Sequence, residues 1–92
     1  MPPQSLKELV AYLGERPWVT LQMQELPPSR RRFVEFRDGS LWWEDEHGRR
    51  LHSPLSCKHT GDETGLRFTE AGFVIEKFGV EMVFTYITPE AV

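Results

Sequence analysis

Four side chains able to hold a metal ion fall close together in this chain: His47, His52, Cys57 and His59. Zinc takes imidazole nitrogen and thiolate sulfur, and four such ligands close a tetrahedron. Structural zinc sites present their ligands as close pairs on tight turns. Here only Cys57 and His59 make such a pair, while His47 falls at an expected turn tip and His52 on a strand. The spacing argues against a metal, so the reading carries no metal and no cofactor. Cys57 and His59 as a nucleophile pair would need an oriented dyad, but alternate positions of one strand are merely neighbours on a face. Cys57 reads instead as a small buried residue. Asp62 and Glu63, between Gly61 and Gly65, have the look of an exposed loop. The chain carries no phosphate-cradling glycine loop, no serine elbow and no HExxH. Catalysis is the weakest class, and the expectation is a protein that is not an enzyme.

A second group invites a nucleic-acid reading. Arg30, Arg31 and Arg32 run into Phe33 and Phe36, with Trp42 nearby, and single-strand binders combine such arginines with aromatic stacking platforms. The register weakens this. Asp38-Gly39 between two alternating runs signals a two-residue hairpin turn, because both central positions need positive φ. Pairing outward from it sets Glu35 opposite Trp42, Val34 opposite Trp43 and Phe33 opposite Glu44. The same pairing sets Arg31 opposite Glu46 and Arg32 opposite Asp45, and a second turn at His47-Gly48 sets Arg49 and Arg50 facing the same carboxylates. An acidic strand between two basic ones is an ion ladder that selects register, each pair worth roughly 0.2–1 kcal/mol. Arg30 and Arg37 are left as the least neutralised cations.

The same register places Val34, Phe36, Leu41 and Trp43 on one face, and Phe33 and Trp42 on the other. The second pair packs under the N-terminal helix or a loop, or else forms an apolar patch rimmed by Glu35, Arg37 and Glu44. Aromatics ringed by both charge signs are the anatomy of a protein-binding hot spot. Phe33, Glu35, Arg37 and Trp42 are therefore the expected partner surface.

These groups must be positioned by one helix and a series of strands. Ser5 with Glu8 three residues later is a capping-box pattern, and Leu6, Leu9, Val10 and Leu13 recur at helical spacing until Gly14 and Pro17. The spacing predicts a helix over Leu6 to Leu13. Trp18 to Leu26 alternates, with Val19, Leu21 and Met23 on one side and Thr20, Gln22 and Gln24 on the other, until Pro27-Pro28. A short strand is expected from Leu55 to Lys58. Turns at Ala71-Gly72 and Phe78-Gly79 divide Leu66 to Ile87 into a second meander. They put Leu66, Phe68, Phe73, Ile75, Met82, Phe84 and Tyr86 on one face and Val74, Val83 and Ile87 on the reverse. As an exposed edge, the Trp18 to Leu26 strand would offer a route to a homo-oligomer, since it has no lysine to discourage pairing.

Ninety-two residues suit one domain, with 1–4 and 89–92 expected as loose ends, and 39% hydrophobic, 12% aromatic and 27% charged residues describe an ordinary globular chain. The start MPPQSLKEL lacks a signal-peptide pattern, no apolar run approaches bilayer length, and one cysteine suits a reducing compartment. No membrane is expected, and the location read is cytoplasmic. A net charge of −3 gives no overall pull toward nucleic acid. Positions 30–58 nonetheless hold seven basic and five acidic residues, against two and six over 59–92. The fold class is α+β, a short N-terminal helix packed on an antiparallel meander of about five to seven strands, either open or curled into a partly closed barrel. The function expected is a small binding or regulatory domain acting on a protein partner. The alternative is single-stranded nucleic-acid binding through the aromatic hairpin and Arg30–Arg32.

Overall fold

The computed structural model describes residues 2–55, 65–77 and 79–87. It contains helix α1 (Leu6–Glu15) and strands β1 (Trp18–Met23), β2 (Ser29–Arg37), β3 (Ser40–Glu44), β4 (Arg50–Pro54), β5 (Gly65–Phe68), β6 (Gly72–Lys77) and β7 (Val80–Tyr86). Among the described residues, no helix is long and apolar enough to cross a membrane.

Ser5 caps α1, its Oγ accepting from the Glu8 amide at 3.2 Å, while the Glu8 carboxylate accepts from the Gln4 amide at 2.8 Å. The capping box thus closes one residue earlier than its usual form. Gly14 does not end the helix. Glycine is tolerated there at about 1 kcal/mol, and α1 runs on to Glu15, where Pro17 forbids a further turn.

The strands form one antiparallel sheet in the order β4-β3-β2-β1-β7-β6-β5. Hairpins build each half locally, and the β1–β7 ladder, Val19 opposite Tyr86 through Met23 opposite Met82, joins the halves. β1 is therefore paired on both sides and ends at Met23. The Trp18 to Leu26 segment is not an exposed edge, and the oligomer route through it is withdrawn; the sheet's outer strands are β4 and β5.

The inner face holds Leu9 and Leu13 of α1 against Val19, Leu21, Phe33, Leu41, Trp43, Phe73, Ile75 and Phe84, all buried. The face expected of the second meander is the observed one, with Leu66, Phe68, Met82 and Tyr86 packed against this cluster. Trp43 stacks on Phe84 with centroids 5.2 Å apart, and Phe84 on Phe73 at 4.5 Å. β3 and β7 are separated by two strands, which would hold them roughly 14 Å apart in a flat sheet. The stack therefore requires strong curling toward α1, so the inner face is concave and the outer convex. The sheet nevertheless stays open, because β4 and β5 do not pair with each other.

Asp38 (φ 55°) and Gly39 (φ 75°) make the expected two-residue turn. Gly79 (φ 77°) lies between Lys77 and Val80, which pair as expected. The Ala71-Gly72 turn falls one position earlier, at Glu70-Ala71: Thr69 N–H donates to the Gly72 carbonyl at 2.9 Å. This moves the register by two residues, so no side chain changes face. Gly72 is required by its neighbour, since a Cβ there would stand 1.8 Å from the Phe84 carbonyl oxygen. Leu55 is buried just after β4, its amide donating to the Gly39 carbonyl at 2.9 Å. The rest of the strand expected over Leu55 to Lys58 lies outside the described residues.

Candidate functional site

Two single-residue irregularities decide which side chains reach the convex outer face. The first is a bulge at Val34. Glu35 pairs with Trp42 as expected, but Phe33 then pairs with Trp43, and Arg32 with Glu44. One extra residue switches the face of everything before it. Phe33 is therefore a core residue, 6% exposed, with its ring edge-on to Trp43 at 5.7 Å. It leaves the expected partner surface, and Val34, expected in the core, is the half-buried bulge residue.

The second irregularity is the loop after β3. Asp45 N–H donates to the Arg49 carbonyl at 3.0 Å, and Gly48 takes φ 78°, giving a three-residue hairpin loop rather than a two-residue turn at His47-Gly48. The Asp45 carboxylate organises it, accepting from the amides of His47 (2.8 Å) and Arg49 (2.9 Å) and from the Arg49 Nε (2.8 Å). Chiefly the Arg49 amide, helped by that of His47 and the Arg49 guanidinium, holds the Asp45 carboxyl below its usual range. Trp42 consequently faces His52, and Glu44 faces Arg50.

The expected ladder is corrected in the same stroke. Arg32 pairs with Glu44 at 3.3 Å, not with Asp45. Arg50 reaches across to Glu35 at 3.7 Å. Arg31 sits opposite Val19, on the inner-face side, rather than opposite Glu46. Its Nε is buried without a hydrogen-bond partner, and burial lowers its pKa despite the opposing pull of Asp45. The arginine triplet is thus split between faces, with Arg30 and Arg32 outside and Arg31 inside.

Trp42 stands at the centre of the outer-face cluster. Its ring stacks on His52 at 4.8 Å with planes 25° apart, and the Arg37 guanidinium lies over it at 5.0 Å. Arg37 belongs to β2 and His52 to β4, the two strands that flank β3. The indole N–H donates to the Arg37 carbonyl at 3.2 Å. At the flank, the Arg30 guanidinium lies over Trp18 at 5.5 Å, and Trp18 is 39% exposed. Trp18 thus joins the candidate face, although the sequence pattern did not single it out. The signal was there, because the alternation that buries Val19 and Leu21 puts Trp18 on the side of Thr20 and Gln22.

The remaining candidates do not converge. His47 lies in the exposed loop, and His52 is committed to Trp42. Cys57 and His59, like Asp62 and Glu63, lie outside the described residues. Among the described residues no cluster of histidine, cysteine and carboxylate side chains could hold a metal ion. Comparison with family models, with curated proteins and with solved structures gave no match for this chain.

Proposed function

We propose that this chain is a small non-enzymatic binding module of the cytoplasm that acts through protein–protein contact, using the outer face of β1–β4. Trp42, Arg37 and Glu35 form its centre, with Trp18 and Arg30 at its flank. The observation that carries this reading is Trp42 in contact with both Arg37 and His52 on a surface where both charge signs are present. Tryptophan and arginine dominate the energetics of protein interfaces. An indole already fixed by a hydrogen bond and two stacked neighbours loses little freedom on docking, which spares part of the roughly 0.5–1.5 kcal/mol ordering cost of each side chain.

Single-stranded nucleic acid is the competing reading, and the exposed Arg30–Trp18 pair is what favours it. Base stacking needs an open ring face, whereas the Trp42 ring already carries His52 and the Arg37 guanidinium. Arg31 points inward, and Arg32 is matched by Glu44.

The two separate in one experiment. The chain is used as bait in lysate of its native host, with and without nuclease, alongside Trp42→Ala and Trp18→Ala. The proposal expects a captured protein that survives nuclease and is lost with Trp42→Ala. Capture abolished by nuclease, or a steeply salt-dependent shift of a single-stranded oligonucleotide, would replace it with the nucleic-acid reading.

A further inference from the structure

The charges of the outer face specify the chemistry of what docks there. Four guanidinium groups stand on the β1–β4 half: Arg30, Arg32, Arg37 and Arg50. Two are answered by carboxylates within the fold, Arg32 by Glu44 and Arg50 by Glu35. Arg37 meets only Asp38 at 3.8 Å, and those side chains are 53% and 83% exposed. Arg30 meets no carboxylate among the described residues. The two least neutralised guanidinium groups are also the two that lie over indoles. A guanidinium stacked on a ring spends its π face and keeps its in-plane N–H fork for a carboxylate. The other half of the outer face offers no such surplus, since Arg67 is bound to Glu81 and Glu76 lies beside it in the ladder.

Resting on the protein-binding reading above, we infer that the partner's docking segment is an acidic peptide that lies along β2 and delivers one carboxylate cluster to Arg30 and another to Arg37. Both arginines belong to β2, and at about 3.3 Å per residue they stand roughly 23 Å apart. An extended segment spans that distance with about six residues between its acidic positions. Nucleic acid would supply anions as well, but the Trp42 ring already carries His52 and the Arg37 guanidinium, so a base would have to compete for the stacking that single-strand binding adds to phosphate contact.

The probe is a fluorescein-labelled Gly-Ser peptide bearing two Glu-Glu pairs about six residues apart, compared with its Lys-Lys counterpart and with a labelled single-stranded oligonucleotide. Binding is followed by anisotropy and by quenching of tryptophan emission. The acidic peptide is expected to bind, with Arg30→Gln and Arg37→Gln each weakening it about three- to tenfold and Arg67→Gln leaving it unchanged. Circular dichroism verifies that the variants fold. Equal binding of the lysine peptide, changes under twofold in both variants, or tighter binding of the oligonucleotide overturns the inference. So does a dimer in light scattering that Arg30→Gln disperses, which assigns the face to a second copy of the chain. In the capture experiment, a protein lost with Trp42→Ala but retained with Arg30→Gln and Arg37→Gln sinks the acidic segment and leaves the protein-binding face standing.

Discussion

Replacing Phe33 and Trp42 by alanine, one at a time, should give opposite results for stability and binding. Phe33 is 6% exposed and packs its ring against Trp43 in the concave core. Truncating a buried phenylalanine removes its transfer free energy and leaves a cavity, together about 3–5 kcal/mol. A domain of this size is held by roughly 5–14 kcal/mol, so the variant sits close to its unfolding threshold. At about 4–8 °C of melting temperature per kcal/mol, the expected fall is roughly 12–40 °C. Trp42 loses one cation–π contact, about 0.5–1 kcal/mol at an exposed site, its stack on His52, about 0.5–1.5 kcal/mol, and one indole hydrogen bond, about 1 kcal/mol net. Its cost is about 2–3.5 kcal/mol, and the variant is expected to stay folded while losing its partner. Thermal and urea melts followed by circular dichroism measure both. If Phe33→Ala costs under about 1.5 kcal/mol, or Trp42→Ala costs more than Phe33→Ala, the bulge at Val34 does not set the faces as argued.

Gly72→Ala should cost at least about 2 kcal/mol in urea melts, because its methyl meets the Phe84 backbone carbonyl, which has no flexible end to move aside; an unchanged midpoint would contradict that close approach. Tyr86→Phe should be neutral or slightly stabilising, since the hydroxyl is buried without a partner. Burial first, and Tyr12 second, push the Tyr86 phenol up to about 12, so the folded state holds its proton longer than the unfolded chain does. That contribution is complete below about pH 10 and is lost as pH rises toward 12. Alkaline melts of the wild type should therefore steepen over that interval and those of Tyr86→Phe should not. Asp45→Asn should lower stability at neutral pH, and its gap to the wild type should close on acidification. The Asp45 carboxyl is depressed in the fold, so its contribution is present above its ordinary value of 3.8 and lost as pH falls through the lowered one. A gap that persists at strongly acid pH would place the effect elsewhere.

What could be read along the chain was what short-range chemistry controls. Asp38-Gly39 needs only its own two residues to turn, and Ser5 with Glu8 needs only the first turn of α1. The alternation of Phe73, Ile75, Met82 and Phe84 names the inner face in any register that shifts by two. The partner-surface assignment of Phe33 failed where one residue mattered. The Val34 bulge has no marker such as glycine, and it relocates Phe33, Arg31 and Arg32 together. His47-Gly48 suggested a two-residue turn because the role of Asp45 as acceptor for two amides is not visible from residue type. The central position of β1 was hidden for another reason, since its second neighbour, β7, comes from the far end of the chain. Arg37 and Glu35 keep their expected register because they lie between the reliable turn and the bulge.

The ladder between β1 and β7 also governs how the molecule can assemble itself. β1–β4 and β5–β7 consist of neighbouring hairpins and can form quickly, but the seam between them waits on closure of the long span from Met23 to Met82. During synthesis β1 must persist as an open border, with Val19 and Leu21 awaiting cover, until the last strand has emerged. The same seam, left unclosed in one molecule, is a template for β7 of another. Exchange of β5–β7 between chains is therefore the error this topology invites, and destabilising the seam would favour it over simple unfolding.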